Sequence, residues 1–269
     1  MPDRTYTARA LVLRRIRLKE TDLIVVAIAE DGHQIRAVAK GARKPSSAFS
    51  ARLELYTVVD LLLARGRGGL DIVKEARIVA SCAMDASPEF SALAAPAAEA
   101  MERLTHPDIK APKLFAVIES FFSHIEPVVL SCTGDDEDAE KARKAAVSLV
   151  AAFLLKVSAY AGFRPCLTFC ACCGAPSDYF STPQIPFSSI EGGIVCDMCR
   201  QDAEGIRLVP MHVISWAAFF LTATFDEVCA KPADVRTSNA ILQICRDWLY
   251  EHGGFKMKSL TFLLGSGLF

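Results

Sequence analysis

Residues 8–44 read ARALVLRRIRLKETDLIVVAIAEDGHQIRAVAKGARK. β-Branched and aliphatic residues come here in short runs separated by turn signals, the pattern of strands. The first turn falls at Glu20 to Asp22, and Asp31-Gly32 is a short hairpin signal. Strands are therefore predicted over Ala8–Leu18, Leu23–Ala29 and His33–Ala39. Outward from this stretch the same character extends from Tyr6 to Ile78, with further strands near Leu53–Leu63 and Leu70–Ile78. Gly66 and Gly68-Gly69 mark the tight connection between those two. Five short antiparallel strands in about 75 residues suggest a small closed barrel of the OB type, and an SH3-like barrel would give a similar pattern.

Beyond Cys82 the sequence turns Ala-rich and Leu-rich with helical spacing. Ser87-Pro88 opens a helix to about Leu104, and Pro107 with Pro112 opens another that ends near Pro127. Asp135 to Asp138 reads as a solvated acidic loop. Ala139 to Gly162 reads as a long helix, with Val147, Val150, Leu154, Val157 and Ala161 on one face and Gly162 as its C-terminal cap. Helices are also predicted at Pro210–Thr222, Arg236–Glu251 and Ser259–Leu264. The fold class is α+β and multidomain: an N-terminal OB-fold barrel over residues 1–80, then an α-helical domain over residues 81–269.

The 269 residues are 52% hydrophobic, which supplies buried cores and rules out disorder as the main state. Net charge is -1. That sum conceals a net of +6 in residues 1–80 and -7 in the remainder, so the two parts are expected to meet different partners. Met1 to Ala10 lacks the apolar region of a signal peptide, and Arg14, Arg15 and Arg17 crowd the next segment of the chain. The uncharged stretch Leu208–Phe225 is interrupted by Pro210. The remaining helix of about 13 residues, or about 20 Å, is too short for a bilayer core of about 30 Å. Met211, Ser215, Trp216, Phe219 and Phe220 look instead like part of a buried core helix. A cytoplasmic location without membrane contact is expected, and there ten cysteines favour packing or metal binding over disulfides.

Cys170-Ala171-Cys172-Cys173-Gly174 is followed by Cys196-Asp197-Met198-Cys199. Two Cys-x-x-Cys knuckles can bring four thiolates around one ion, and Gly174 with Gly192-Gly193 permits the tight turns. Four sulfurs fill a tetrahedral Zn2+ shell and leave no position for water, so one structural zinc per chain is expected on Cys170, Cys173, Cys196 and Cys199, within a module at about 164–205. Iron in the same geometry is the minor alternative. Cys166, Cys172, Cys82, Cys132, Cys229 and Cys245 are assigned to packing.

The segment Lys40-Gly41-Ala42-Arg43-Lys44-Pro45-Ser46-Ser47 with Arg52 carries four positive charges and no negative one. Such a loop can follow a phosphate backbone, and its bland counterpart is a solvated connection. Arg14, Arg15 and Arg17, and also Arg9, Arg36, Arg65 and Arg67, favour a DNA-binding surface made of Lys40, Arg43, Lys44, Arg52, Arg14, Arg15 and Arg17. Aromatics are sparse in this region, with Tyr6, Phe49 and Tyr56 alone, which favours backbone contact over base readout. Catalytic motifs are missing. There is no phosphate loop, no nucleophile elbow and no HxxxH pair among the five histidines.

These pieces together resemble the RecO family of bacterial recombination mediators. The likeness is carried by Ala10-Leu11-Val12-Leu13, Glu20-Thr21-Asp22, Lys40-Gly41-Ala42-Arg43-Lys44, Gly162-Phe163-Arg164-Pro165 and the two knuckles, in that order. The extra Cys172 is a departure from the pattern. The resemblance implies an OB-fold, a helical domain with a lodged zinc module, and a non-enzymatic role in DNA repair. That role comprises binding single- and double-stranded DNA, annealing complementary strands and, with RecR, assisting RecA loading onto DNA coated by single-stranded DNA-binding protein. Rival readings are a zinc-dependent nucleic-acid enzyme, which four cysteine ligands oppose, and a zinc-containing protein adaptor without direct DNA binding.

Overall fold

A computed structural model of the chain describes residues 5–66, 68–81, 87–176 and 183–268. Arg67 and Cys82, named above, lie outside the described residues. The chain separates into two compact units, Met1–Pro88 with Ala98–Phe122, and Glu89–Ala97 with Ser123–Phe269.

In the first unit β1 (Thr5–Leu18), β2 (Asp22–Ala29), β3 (Gln34–Ala39), β4 (Thr57–Ala64) and β5 (Asp71–Ser81) close in the order β1-β2-β3-β5-β4. β1 pairs with β4 through Thr5–Leu11 and with β2 through Ala10–Leu18. One strand serves two partners because its register shifts between Val12 and Arg14, a bulge that bends it around the barrel. The ring closes where β3 and β5 run parallel, Ala37 opposite Asp71 and Val38 opposite Ile72. This is an OB-like order, and it resolves the choice that periodicity left open. Alternate residues Val25, Ala27, Ala29, Val59, Leu61 and Leu63 fill the interior.

The strand predicted from Leu53 begins four residues late. Phe49–Arg52 form a single helical turn, α1, and the Leu53 N–H donates to the Phe49 carbonyl at 3.0 Å. That bond swings Leu53, fully buried, into the core of the barrel. Tyr56 then takes φ 64° while its N–H donates to the Val12 carbonyl at 2.9 Å, and only after it does the chain extend as β4. The alternation of Leu53 and Leu55 imitates a strand, but burial across the barrel decides the conformation.

The helices are α2 (Pro88–Leu104), α3 (Pro112–Leu130), α4 (Glu137–Tyr160), α5 (Met211–Thr222), α6 (Phe225–Ala230), α7 (Val235–Gly253) and α8 (Lys258–Gly265). In the second unit α4 is the central helix, packed by α5, α6 and α7. Its start corrects the acidic-loop expectation. Asp136 is the N-cap and accepts the Ala139 N–H at 2.8 Å, while Glu137 and Asp138 lie in the first turn, where negative charge complements the helix dipole. Its end is as expected. Gly162 takes φ 100°, its N–H donates to the Ala159 carbonyl and that of Phe163 to the Ser158 carbonyl, a Schellman closure.

α5 buries Val213, Ile214, Ala217, Phe220 and Leu221 but leaves Ser215 exposed and Trp216 and Phe219 half-buried. No helix of the described residues is long and apolar enough to cross a membrane. A three-stranded sheet, β6 (Gln184–Ser188), β7 (Gly193–Ile194) and β8 (Arg207–Pro210) in the order β7-β6-β8, adds to the elements expected from the sequence. It carries the second cysteine knuckle.

Candidate metal centre and nucleic-acid interface

Each knuckle is held by its own backbone. After Cys170 the chain reverses through Gly174, whose N–H donates to the Cys170 carbonyl at 2.9 Å with φ 73°. After β7, the Arg200 N–H donates to the Cys196 carbonyl at 2.8 Å as the chain enters the short 3-10 turn Cys199–Gln201. The two halves are clipped together at Cys166, which exchanges backbone hydrogen bonds of 2.9 Å with Gly192 and Ile194. A Cβ on Gly193 would lie 2.0 Å from the Cys166 carbonyl oxygen, so only glycine fits this crossing.

The sulfurs of Cys170, Cys173, Cys196 and Cys199 all lie within 4.8 Å of one another. Cys173 and Cys196 are 3.8 Å apart, which matches the edge of about 3.8 Å in a tetrahedron with Zn–S bonds of about 2.3 Å. Backbone N–H groups aim at the sulfurs: Cys196 donates to Cys170 Sγ and Cys199 to Cys196 Sγ, each at 3.3 Å. Burial raises the Cys170 thiol, but the N–H groups of Cys173, Cys196 and Cys172 outweigh it and bring the thiol below its ordinary range. Four thiolates this close repel one another strongly, so full ionisation requires a cation between them. The donor set fits a metal ion.

Cys172 and Cys166 stay outside this cluster. Cys172, expected to pack, is instead exposed on the outer side of the knuckle, with Sγ donating to Glu191 at 3.7 Å. Partial desolvation, then the charges of Glu191 and the neighbouring Cys170, push this thiol up to about 11, which keeps it protonated. Cys166 directs its thiol to the Phe169 carbonyl at 3.0 Å. Cys245 is buried, and Cys132 and Cys229 are partly so.

On the barrel, the turn after β1 and the loop after β3 are stitched into one surface. Asp22 accepts the Gly41 N–H at 2.8 Å, where Gly41 takes φ 66°, and this bond holds the Asp22 carboxyl below the usual carboxylate range. The Arg43 N–H donates to the Thr21 carbonyl at 2.9 Å, and its guanidinium reaches the Glu20 carbonyl at 2.8 Å and that of Lys19 at 3.4 Å. Ala42, fully buried, anchors the loop in the core. Lys40, Arg43 and Lys44 are thus fixed beside Lys19, all four of them exposed.

The remaining predicted arginines divide. Arg14 donates to both Glu102 oxygens, at 3.0 and 3.2 Å. Arg15 pairs with Glu54, and Arg52 donates to the Ala76 carbonyl at 3.3 Å. The side chains of Arg17, Lys40 and Lys44 are exposed, and among the described residues they have no hydrogen-bond or ion-pair partner. Lys19, held in the left-handed region at φ 56°, joins this surface although no motif in the sequence singles it out.

Two family models match the chain. They are "Recombination protein O N terminal" over residues 1–82 and "Recombination protein O C terminal" over residues 137–261. DNA repair protein RecO of Frankia casuarinae is 32% identical over 264 residues, covering 96% of this chain and 98% of that protein.

Proposed function

The chain belongs to the RecO family of DNA repair and recombination proteins, and from this we propose that it is a non-enzymatic recombination mediator of the bacterial cytoplasm. It binds single- and double-stranded DNA, anneals complementary strands and, with RecR, assists RecA loading onto DNA coated by single-stranded DNA-binding protein. Residues 1–80 form the DNA-binding domain. Residues 81–269, of which Ala98–Phe122 belong to the same compact unit as the barrel, supply the helical part that meets protein partners. The observation that carries this reading is the ordered surface of Lys40, Arg43 and Lys44, locked by Asp22 and the Glu20 carbonyl.

Phosphates of two strands repel each other. A protein that neutralises them on a basic surface lowers the barrier to their meeting without breaking a covalent bond. A loop whose backbone is already fixed by hydrogen bonds loses little freedom when DNA arrives, so only the lysine side chains have to be ordered. Lys40, Arg43 and Lys44 contact phosphates, and Arg17 adds to the same field. Arg14 and Arg15 bind more weakly because they must share their charge with carboxylates inside the protein, whereas Arg52, like Arg43, is steadied by a backbone carbonyl.

One Zn2+ per chain sits on Cys170, Cys173, Cys196 and Cys199. Its chemistry there is structural, since four sulfurs fill the coordination shell. The test of the whole reading is strand annealing by the full chain without nucleotide. Acceleration that fades with salt, and that persists when one strand is coated with its cognate single-stranded DNA-binding protein, is the expected result. Strand cleavage or a need for ATP would point to an enzyme. Absence of DNA binding would leave the adaptor reading.

A further inference from the structure

We infer that Arg65 is a nucleobase-stacking residue, its guanidinium plane forming a shelf for one unpaired base of a single strand. The inference deepens the DNA-binding reading above and rests on it. Arg65 lies over the ring of Tyr6, with Cζ 4.1 Å from the ring centroid. Asp71 fixes both layers, accepting from the Tyr6 hydroxyl and, at 3.4 Å, from Arg65. Its other oxygen accepts the Gly66 N–H at 3.1 Å, which ties the β4–β5 connection into the same unit. Asp71 is 14% exposed, whereas the Arg65 side chain is 66% exposed. The guanidinium is therefore held over an aromatic ring and still reaches solvent. Bases of single strands stack on such arginine planes, and a plane already ordered loses little entropy on doing so.

The surroundings suit a base together with the phosphate next to it. Arg65 and Tyr6 line a groove of about 1680 Å³ that also takes in Phe49, Leu61 and Ile78. Six cations line the groove, and four of them, Arg9, Arg65, Arg77 and Lys110, face carboxylates. Arg9 and Arg77 share Asp60, at 3.0 and 2.6 Å, and Lys110 lies 3.1 Å from Asp31. Arg52, which donates to the Ala76 carbonyl, and Lys74 remain to meet phosphates, while planar and apolar surface remains for an uncharged ring. The phosphate loop is close enough for one strand to reach both places. Asp71 is opposite Ala37 in the β3–β5 pairing, and Lys40 lies three residues further on, about 10 Å along the strand.

The alternative is that Arg65 only latches the β4–β5 connection, and the test separates the two roles. The full chain and its Arg65→Lys variant are titrated with a single-stranded oligothymidylate and with an abasic oligomer of the same length. Lysine keeps the charge and can still pair with Asp71, but it has no plane. The wild-type chain is expected to prefer the oligothymidylate, and Arg65→Lys to weaken that binding about fivefold while leaving the abasic oligomer unchanged. Equal losses on both probes, no loss on either, or a wild-type chain indifferent to bases would each overturn the inference. A wild-type chain that binds neither probe in a salt-dependent way would instead overturn the DNA-binding reading itself.

Discussion

Asp22 is an acid in the middle of a basic surface, and it would weaken DNA binding if charge were its only property. Its carboxylate accepts from Gly41 and from Thr21 Oγ1 at 3.1 Å, which gives the Lys40–Lys44 loop one shape. Removing it trades a small electrostatic gain for a loop that must be ordered by the DNA. Asp22→Ala is expected to weaken single-stranded DNA binding about threefold while leaving the salt slope unchanged, because no cation is lost. A fluorescence anisotropy titration at several salt concentrations checks both halves. The pH dependence has a definite sign. The Asp22 carboxyl is depressed in the folded chain, so its bond to the loop is fully present above the ordinary carboxylate range and is lost as pH falls through the folded value. At neutral pH the loop is fully fixed.

At the scale of elements, a metal on the four cysteines would add to the apolar packing of the knuckle module. Among the described residues the cluster around the cysteines comprises Cys170, Val195 and Cys196, with Cys199, Ala203 and Ile206 against them, and Leu167, Ile185, Phe187 and Ile194 are also buried within residues 164–205. Structural zinc supplies about 10 to 16 kcal/mol of apparent binding energy in small sites, so a bound ion would be a large share of what holds the module. Elemental analysis of protein never exposed to chelator should give one zinc per chain. Cys170→Ser and Cys196→Ser should lose the metal and open residues 164–205 to protease. Cys172→Ser and Cys166→Ser should retain it, since those thiols face Glu191 and the Phe169 carbonyl. Metal lost from Cys172→Ser would contradict the ligand set.

The knuckles are legible in the sequence because their geometry is local, two cysteines three residues apart with glycine beside them. The sheet that carries one of them is not. Gln184–Ser188 pairs with Arg207–Pro210 across some twenty residues of chain, and Pro186 and Pro210 read as breakers rather than strand members. α6 shows a different failure. Six residues are too few for helical periodicity, yet the box Thr224 to Glu227 announces its start, with Glu227 Oε2 accepting the Thr224 N–H at 2.7 Å. Capping chemistry is the signal there, and periodicity is the wrong instrument.

For the whole molecule, the charge division between residues 1–80 and the rest is readable, and so is the barrel as a set of strands. Its closure is expected from five short strands and is borne out, but the strand order that closes it is not readable, because a bulge in β1 and a two-residue parallel pairing settle it, and both depend on partners distant in sequence. The same blindness affects the arginines. Glu102 lies 88 residues beyond Arg14, and Glu54 lies 39 beyond Arg15, so nothing local to either arginine announces that its charge is already engaged. Lys40 and Lys44 remain exposed because the loop that carries them is fixed through backbone groups and Asp22, leaving the ammonium groups to solvent.

The central claim, that this loop holds DNA through its phosphates, is tested most directly by the salt dependence of single-stranded DNA binding. The full chain is compared with a variant carrying Lys40→Ala, Arg43→Ala and Lys44→Ala. Each phosphate contact on a single strand contributes about 0.7 to the slope of log affinity against log salt, so the triple variant should be shallower by about 2. It should also bind every DNA sequence more weakly by the same factor. An unchanged slope with unchanged affinity would contradict the account and make the loop a solvated connection.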